Sequence, residues 1–131
     1  MGFFDRITNE NTNNSNETNK ITWIEIKSIE NLDELVERAK SQPVAIFKHS
    51  TRCIISKMVL KQFEKDFNLK FGQMDMYILD LIAYRSVSNK IATIFNLRHE
   101  SPQIIVIIGG KVVFHASHND INAQILNELV G

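Results

Sequence analysis

The sequence predicts an α/β domain in which one mixed β-sheet lies between helices on both faces. Apolar residues recur first at strand spacing and then at helix spacing, three times in succession, which indicates the order β-α-β-α-β-α. The last part of the chain instead predicts a hairpin and one helix, so the full order is βαβαβ-α-ββα. Right-handed crossovers between parallel strands place helices on both sides of one sheet, which gives a three-layer sandwich.

The N-terminal part predicts a polar leader and then the first strand and helix. Residues 9–20 (NENTNNSNETNK) are too polar to bury, so we expect residues 1–20 to be a flexible leader and residues 21–131 to be the folded domain. Residues 22–26 alternate like a half-buried strand. Asn31 is the expected N-cap of a helix that ends before Pro43, with four apolar positions at helical spacing: Leu32, Leu35, Val36 and Ala39.

The middle of the chain predicts two further strand-and-helix units. Residues 44–47 (VAIF) have the composition of a buried central strand, and a third strand ends at Asp80. The helix between them, residues 54–67, has an expected core face of Ile55, Met58, Val59, Phe63 and Phe67. The next helix is capped by Ser86 or Ser88 and has apolar residues at Val87, Ile91, Ile94 and Phe95.

The C-terminal part predicts a hairpin and a closing helix. Residues 104–108 and 112–114 are strands joined by the two-residue turn Gly109-Gly110. The closing helix is amphipathic, with its apolar positions at Ile121, Ile125, Leu126 and Leu129.

Composition excludes several classes of function. The chain has 131 residues, with 15 basic and 15 acidic side chains and a formal net charge of zero. A binder of nucleic acid or of an anionic membrane normally carries a broad positive field, so neither partner is expected. The longest apolar run, residues 104–108, is too short to cross a bilayer. A single cysteine excludes an internal disulfide and fits the reducing cytosol, so we expect a cytoplasmic protein.

The single cysteine, Cys53, is the best candidate for chemistry. It lies between the predicted strand at residues 44–47 and the helix that follows, where unpaired N–H groups and the helix dipole favour thiolate over thiol. We expect its sulfur to accept hydrogen bonds from the N–H groups of Ile55 and Ser56, and such surroundings lower a thiol pKa from about 8.5 toward roughly 3.5 to 7.5. The alternative is an inert buried cysteine that acts as a small hydrophobe.

Two segments carry a family resemblance. Residues 48–56 (KHSTRCIIS) resemble the active-site segment of the monothiol bacilliredoxins, which are thioredoxin-like proteins of bacteria that use bacillithiol. Residues 98–103 (RHESPQ) and 109–118 (GGKVVFHASH) match a second block, and the likeness extends over about residues 23–129. The family usually has Pro directly after its cysteine, whereas this chain has Ile54.

The resemblance implies a thioredoxin-like fold and a monothiol oxidoreductase. Cys53 would remove bacillithiol, or a similar small thiol, from S-thiolated client proteins during oxidative stress. Ser56 stands where a dithiol protein has its resolving cysteine. A thiol from outside must therefore complete the reaction, and the small thiol is a co-substrate rather than a bound cofactor.

Residue chemistry and the resemblance together give expected roles around Cys53. Arg52 could hold the thiolate or a carboxylate of the small thiol, the alternative being an ordinary solvated arginine. Ser56 could donate to the thiolate or bond to its own backbone, and Thr51 would contact the small thiol. The Ser101-Pro102 peptide bond would be cis, with the backbone of Ser101 pairing with an extended substrate segment. We expect solvated or structural roles for Lys48 and His49.

Two alternatives remain open. The Ile54 departure is compatible with a catalytically lapsed binding or stress-associated module. A dimer holding an iron–sulfur cluster by one cysteine per subunit is another possibility. We expect no metal site at His99, His115 and His118, because no second cysteine or carboxylate group completes a ligand set. The oligomeric state stays undetermined.

Overall fold

The computed structural model describes residues 21–130, and the predicted leader at residues 1–20 lies outside the described part. The predicted βαβαβ-α-ββα order is confirmed. A short 3-10 turn at His118–Asp120 precedes the last helix. The elements are β1 (Trp23–Glu25), α1 (Ile29–Arg38), β2 (Val44–His49), α2 (Ile54–Asp66), β3 (Asp75–Asp80), α3 (Arg85–Phe95), β4 (Gln103–Ile108), β5 (Lys111–Ser117) and α4 (Ile125–Val130).

The five strands form one mixed sheet in the order β1-β3-β2-β4-β5. Both β1 and β2 run parallel to β3, whereas β4 is antiparallel to β2 and to β5. The central strand β2 is buried along all six residues. Its last residue, His49, pairs with Asp80 at the end of β3, and Lys48 pairs with Gln103 at the start of β4. The ends of β2 and β3 and the loop before β4 therefore meet at one edge of the sheet.

Helices cover both faces of the sheet, each over its own apolar core. On one face Ile46, Leu79 and Ile105 pack with residues of α1 and α3. On the other face Phe47 and Ile104 pack with residues of α2 and α4. The rings of Phe47 and Phe63 meet edge to face with centroids 5.3 Å apart, a preferred aromatic geometry. These two cores confirm the three-layer sandwich.

The predicted cap of α1 is wrong by three residues. The N-cap is Ser28, whose hydroxyl accepts a hydrogen bond from the N–H of Asn31 at 3.0 Å. The Asn31 side chain in turn accepts from the N–H of Lys27 at 3.0 Å. The pair resembles a capping box, except that the Asn31 side chain binds the N–H of Lys27, one residue before the N-cap, rather than that of Ser28. Asn31 therefore contributes to the cap from inside the helix.

Two other helix starts also differ from the prediction. The N-cap of α3 is Tyr84, so Ser86 and Ser88 lie within the helix. The preceding turn is held by Asp80, whose carboxylate accepts from the N–H groups of Ile82 and Ala83 at 3.1 and 3.3 Å. The closing helix begins at Ile125 and not at Ile121, because the chain first forms the 3-10 turn.

The core face of α2 is narrower than predicted. Phe63 and Phe67 are buried as expected, but Ile55 and Met58 are 58% and 64% exposed. The inward position of the first turn belongs to Ser56, which is fully buried. Because residues rotate by about 100° each along a helix, a face centred on Ser56 and Phe63 turns Met58 to solvent.

The predicted hairpin turn is confirmed. Gly109 and Gly110 have φ values of 64° and 80°. Positive φ at both central residues is what a type I′ turn needs, and glycine adopts it without strain.

Lys48 is fully buried in β2, which fits the structural role, rather than the solvated one, of the two expected for it. Its Nζ donates to the carbonyl oxygen of Ser88 at 3.2 Å and lies 3.3 Å from Nδ1 of His99. No carboxylate pairs with it among residues 21–130. Removal from water disfavours the charged form and lowers the pKa of Lys48 from 10.5 to about 8.

This buried amine predicts a specific pH dependence of stability. In the unfolded chain Lys48 keeps its proton up to about pH 10.5, whereas the folded protein releases it near pH 8. The unfolded state binds more protons in this interval, so stability rises with pH. We expect the free energy of unfolding of the wild type, relative to Lys48→Met, to increase by at most about 3 kcal/mol between pH 7 and pH 10.

Urea unfolding of both proteins at several pH values measures this difference, and exposed lysines cancel in the comparison. A difference that is flat over this range would mean that Lys48 keeps an ordinary affinity for its proton.

Candidate functional site

Cys53 lies at the junction that the sequence predicts. It is the N-cap of α2, with extended backbone angles of φ −102° and ψ 122°, and its side chain is partly exposed. Its N–H donates to the carbonyl of Ser50 at 3.2 Å, and its own carbonyl accepts from the N–H of Lys57 at 3.0 Å. The sulfur therefore stands at the electropositive end of a 13-residue helix.

The expected hydrogen bonds to the sulfur are not formed. The side chain of Cys53 makes no capping hydrogen bond, so the N–H groups of Ile55 and Ser56 do not bind Sγ in this structure. A thiol sulfur is a weak hydrogen-bond acceptor. The Ser56 hydroxyl accepts from the N–H of Ser50 at 3.1 Å.

Ser56 instead connects the strand end to the helix start. Its Oγ lies 2.8 Å from Nδ1 of His49. Because Ser56 already accepts from Ser50, its own proton is free to be donated to His49, which then carries its proton on Nε2. Burial lowers the pKa of His49; Lys57 lowers it further, while Asp80 and Glu64 oppose the shift. A neutral imidazole is the form that accepts this hydrogen bond.

Thr51 and Arg52 form the exposed part of the loop before Cys53. The Thr51 hydroxyl lies 3.5 Å from a carboxylate oxygen of Asp80, which joins the loop to the end of β3. Arg52 is exposed, and within the described part of the chain its guanidinium makes no ion pair. Both side chains are therefore accessible beside the thiol.

The Ser101-Pro102 peptide bond is cis, as expected. Gln103 pairs with Lys48, so Pro102 enters the sheet at the end of β2 from which the Cys53 loop departs. The Pro102 carbonyl accepts from the N–H of His118 at 3.0 Å. The 3-10 turn that begins at His118 packs against α2, so this segment also borders the cysteine helix.

A polar cluster that the sequence analysis missed lies beneath the Pro102 loop. Nζ of Lys48 lies within hydrogen-bonding distance of the Ser88 carbonyl oxygen and of Nδ1 of His99. The Ser88 hydroxyl also lies within hydrogen-bonding distance of Nδ1 of His99. Burial lowers the pKa of His99, and the adjacent Lys48 lowers it further. Gln103 donates to the Arg98 carbonyl at 3.1 Å, while its buried Oε1 has no partner in the described structure. The predicted strand stops at residue 47, whereas β2 continues to His49, so the sequence analysis did not anticipate the burial of Lys48.

The remaining histidines, all of which the structure describes, do not form a cluster that could bind a metal ion. His118 Nδ1 lies 3.7 Å from Glu100, whose carboxylate also accepts from Ser117. The hydrogen bond from Ser117 lowers the pKa of Glu100. Within residues 21–130 no three histidine, cysteine or carboxylate groups are arranged to hold a metal ion. None of the described helices combines the length and apolarity that crossing a membrane demands.

Solved structures share this fold. A protein of thioredoxin fold, named only provisionally as an oxidoreductase, is 33% identical to this chain, with a TM-score of 0.68 over 81% of this chain and 91% of its own. Thioredoxin from Fasciola hepatica is 16% identical, with a TM-score of 0.60 over 81% and 94% of the two chains. Mitochondrial thioredoxin 3 from Saccharomyces cerevisiae is 13% identical, with a TM-score of 0.60 over 88% and 97%. The last two likenesses concern the fold alone.

A family model identifies the family more closely. The model of monothiol bacilliredoxin BrxC matches residues 24–126, which include β2, the loop with Cys53, the cis peptide bond and the hairpin. The match spans most of the 131 residues. The chain therefore belongs to the monothiol bacilliredoxin family, within the thioredoxin fold.

Proposed function

We propose that this protein removes bacillithiol from client proteins through the thiolate of Cys53. Family membership and the 33% identical oxidoreductase-like neighbour support a thiol redox function. The observation that carries the proposal is the position of the single cysteine, which is partly exposed at the N-cap of α2 in the segment that the family model matches. A cysteine in such an electropositive, accessible place is suited to nucleophilic attack.

The reaction is a pair of thiol–disulfide exchanges. The Cys53 thiolate attacks the bacillithiol sulfur of the mixed disulfide, and the client–bacillithiol bond breaks as the Cys53–bacillithiol bond forms. The client cysteine leaves as a thiolate and takes a proton from water. A second small thiol then attacks the adduct as a thiolate, which releases Cys53 and leaves the small thiol as a disulfide. The sulfur of the second thiol is oxidised to the disulfide level as the client sulfur is reduced to the thiol level, so the electrons balance.

The residues around Cys53 explain why a thiol from outside the chain must resolve the Cys53–bacillithiol adduct. Ser56 occupies the position of a resolving cysteine, and its hydroxyl is hydrogen bonded to His49 and Ser50. No other sulfhydryl exists in the chain. Arg52 and Thr51 are exposed on the loop, where a guanidinium suits a carboxylate of a small thiol and a hydroxyl suits its polar groups. The backbone of Ser101, before Pro102, is suited to pairing with an extended client segment.

Transfer of the small thiol is directly measurable. On mixing with a client carrying one bacillithiol, we expect the mass of this protein to increase by one bacillithiol while the client loses the same mass. Cys53→Ser is expected to leave the client unchanged, because a hydroxyl cannot form the disulfide. Intact-mass spectrometry over time measures both proteins.

Wild-type protein alkylated beforehand at Cys53 is the control for unspecific loss of the adduct. Release by Cys53→Ser at the wild-type rate would contradict the proposal. A wild type that leaves the client thiolated would point to the lapsed binding module, in which Ile54 marks a site without exchange activity.

The Ser56 hydroxyl predicts a cost in stability. Ser56→Ala leaves the N–H of Ser50 and Nδ1 of His49 without their partner. Loss of a partner for buried polar groups costs about 1–3 kcal/mol, so we expect the free energy of unfolding to fall by this amount. We also expect slower formation of the Cys53 adduct, because the loop loses its connection to the helix. Urea unfolding and intact mass measure the two effects.

Ser86→Ala is the matched control, since Ser86 is an exposed helical serine of α3. Equal stability of the Ser56→Ala and Ser86→Ala variants would show that the hydroxyl of Ser56 does not hold the loop.

A further inference from the structure

Large apolar side chains are exposed directly beside Cys53. Ile54 and Met58, one turn apart on α2, are 72% and 64% exposed. Residues at this spacing lie on the same face of a helix, so the two side chains form one apolar patch. Adjoining exposed apolar side chains of this size are typical of interaction surfaces.

The same face of α2 carries positive charge. Lys57 and Lys61 are exposed and lie one turn apart, in the row of side chains next to Ile54 and Met58. Arg52 is exposed just before the helix. Residues 52–63 contain no acidic residue. The next carboxylate, that of Glu64, accepts from the indole N–H of Trp23 at 2.7 Å and is thus turned toward β1.

We propose that Arg52, Ile54, Lys57, Met58 and Lys61, here called the α2 face, bind an acidic segment of the client protein whose apolar side chains flank the thiolated cysteine. The proposal rests on the proposed function, which brings the client's sulfur into contact with Cys53. The client surface next to that sulfur then continues onto the residues that adjoin Cys53.

The apolar side chains and the positive charge of the α2 face favour one kind of client segment. Apolar contact with Ile54 and Met58 favours Leu, Ile, Val or Phe in the client. The three cations favour Asp and Glu through charge complementarity, which acts mainly on association and specificity. The chain as a whole has a net charge of zero, so it lacks the broad positive field that an anionic membrane or nucleic acid would favour.

Peptide binding tests the surface without requiring exchange chemistry. The probe is a fluorescein-labelled peptide with a central serine in place of cysteine, flanked by Leu and Glu, and the protein is the non-reacting Cys53→Ser variant. Adding Ile54→Ser and Met58→Ser is expected to raise the Kd about tenfold, as measured by fluorescence anisotropy. Lys57→Glu with Lys61→Glu is expected to raise the Kd for this acidic peptide about tenfold as well. This double variant is expected to bind a peptide flanked by Leu and Lys more tightly than the acidic peptide.

Phe71→Ser is the matched control. Phe71 is 95% exposed and lies in the loop before β3, at the opposite end of that strand from Asp80. We expect this variant to bind the acidic peptide as tightly as the background protein. Raising the salt concentration from 50 to 500 mM is expected to weaken binding to the background and to Phe71→Ser alike.

Exchange kinetics separate docking from chemistry in a protein that retains Cys53. For the bacillithiolated form of the acidic peptide we expect Ile54→Ser with Met58→Ser to lower kcat/KM about tenfold more than it lowers kcat/KM for the small mixed disulfide of bacillithiol and cysteamine. If Cys53 forms no adduct with either substrate, the proposed function fails, and the anisotropy measurement still decides whether the surface binds peptide.

Three results would overturn the proposal. The first is an unchanged Kd for the acidic peptide in both double variants. The second is binding of acidic and basic peptides with equal affinity. The third is a dimer of the wild type, seen in sedimentation, that dissociates in the Ile54→Ser and Met58→Ser variant, because a second copy would then occupy the α2 face.

Discussion

The hydrogen bond between His49 and Ser56 is the contact on which the geometry of the site depends. It joins the last residue of a fully buried strand to the first turn of α2 over 2.8 Å. The N–H of Ser50 donates to the same hydroxyl, and the N–H of Cys53 donates to Ser50. Four residues that connect a strand to a helix are thereby held at both ends. Cys53 is thus fixed at the N-cap by contacts that leave its sulfur free.

The sheet places other parts of the site around this loop. Asp80 ends β3 beside His49, turns the chain toward α3 and lies near the Thr51 hydroxyl. Across β2, the pairing of Lys48 with Gln103 fixes where the loop with Pro102 enters. Lys48 then connects that loop to α3 through His99 and Ser88. A buried amine that has no carboxylate partner among the described residues destabilises the folded protein at neutral pH. The same amine holds the loop beside the cysteine through its contacts with His99 and Ser88.

Local patterns predicted most elements and the position of Cys53, whereas packing decided the rest. Gly109 and Gly110 specify their turn by backbone chemistry alone, so this prediction was accurate. Ser28 and Asn31 are both good capping residues three positions apart, and only the folded backbone shows which one is the cap. Burial of Lys48 follows from β2 continuing two residues beyond the predicted strand while still lying between β3 and β4, an extension that local periodicity does not reveal. The cis bond before Pro102 was predictable from the family resemblance and not from the residues themselves.

The exposed apolar residues of α2 illustrate why periodicity alone misassigns a helix face. Ile55 and Met58 match the helical period of a core face, yet the buried first-turn position goes to a serine whose hydroxyl has a polar partner. That hydrogen bond lies on the buried side of the first turn, while the apolar side chains next to the thiol face outward. Thiol–disulfide exchange has little selectivity of its own, since its rate follows thiolate fraction, nucleophilicity and access. Under the proposed function, selectivity among clients would come from the surface around the sulfur, on the helix that this hydrogen bond ties to β2.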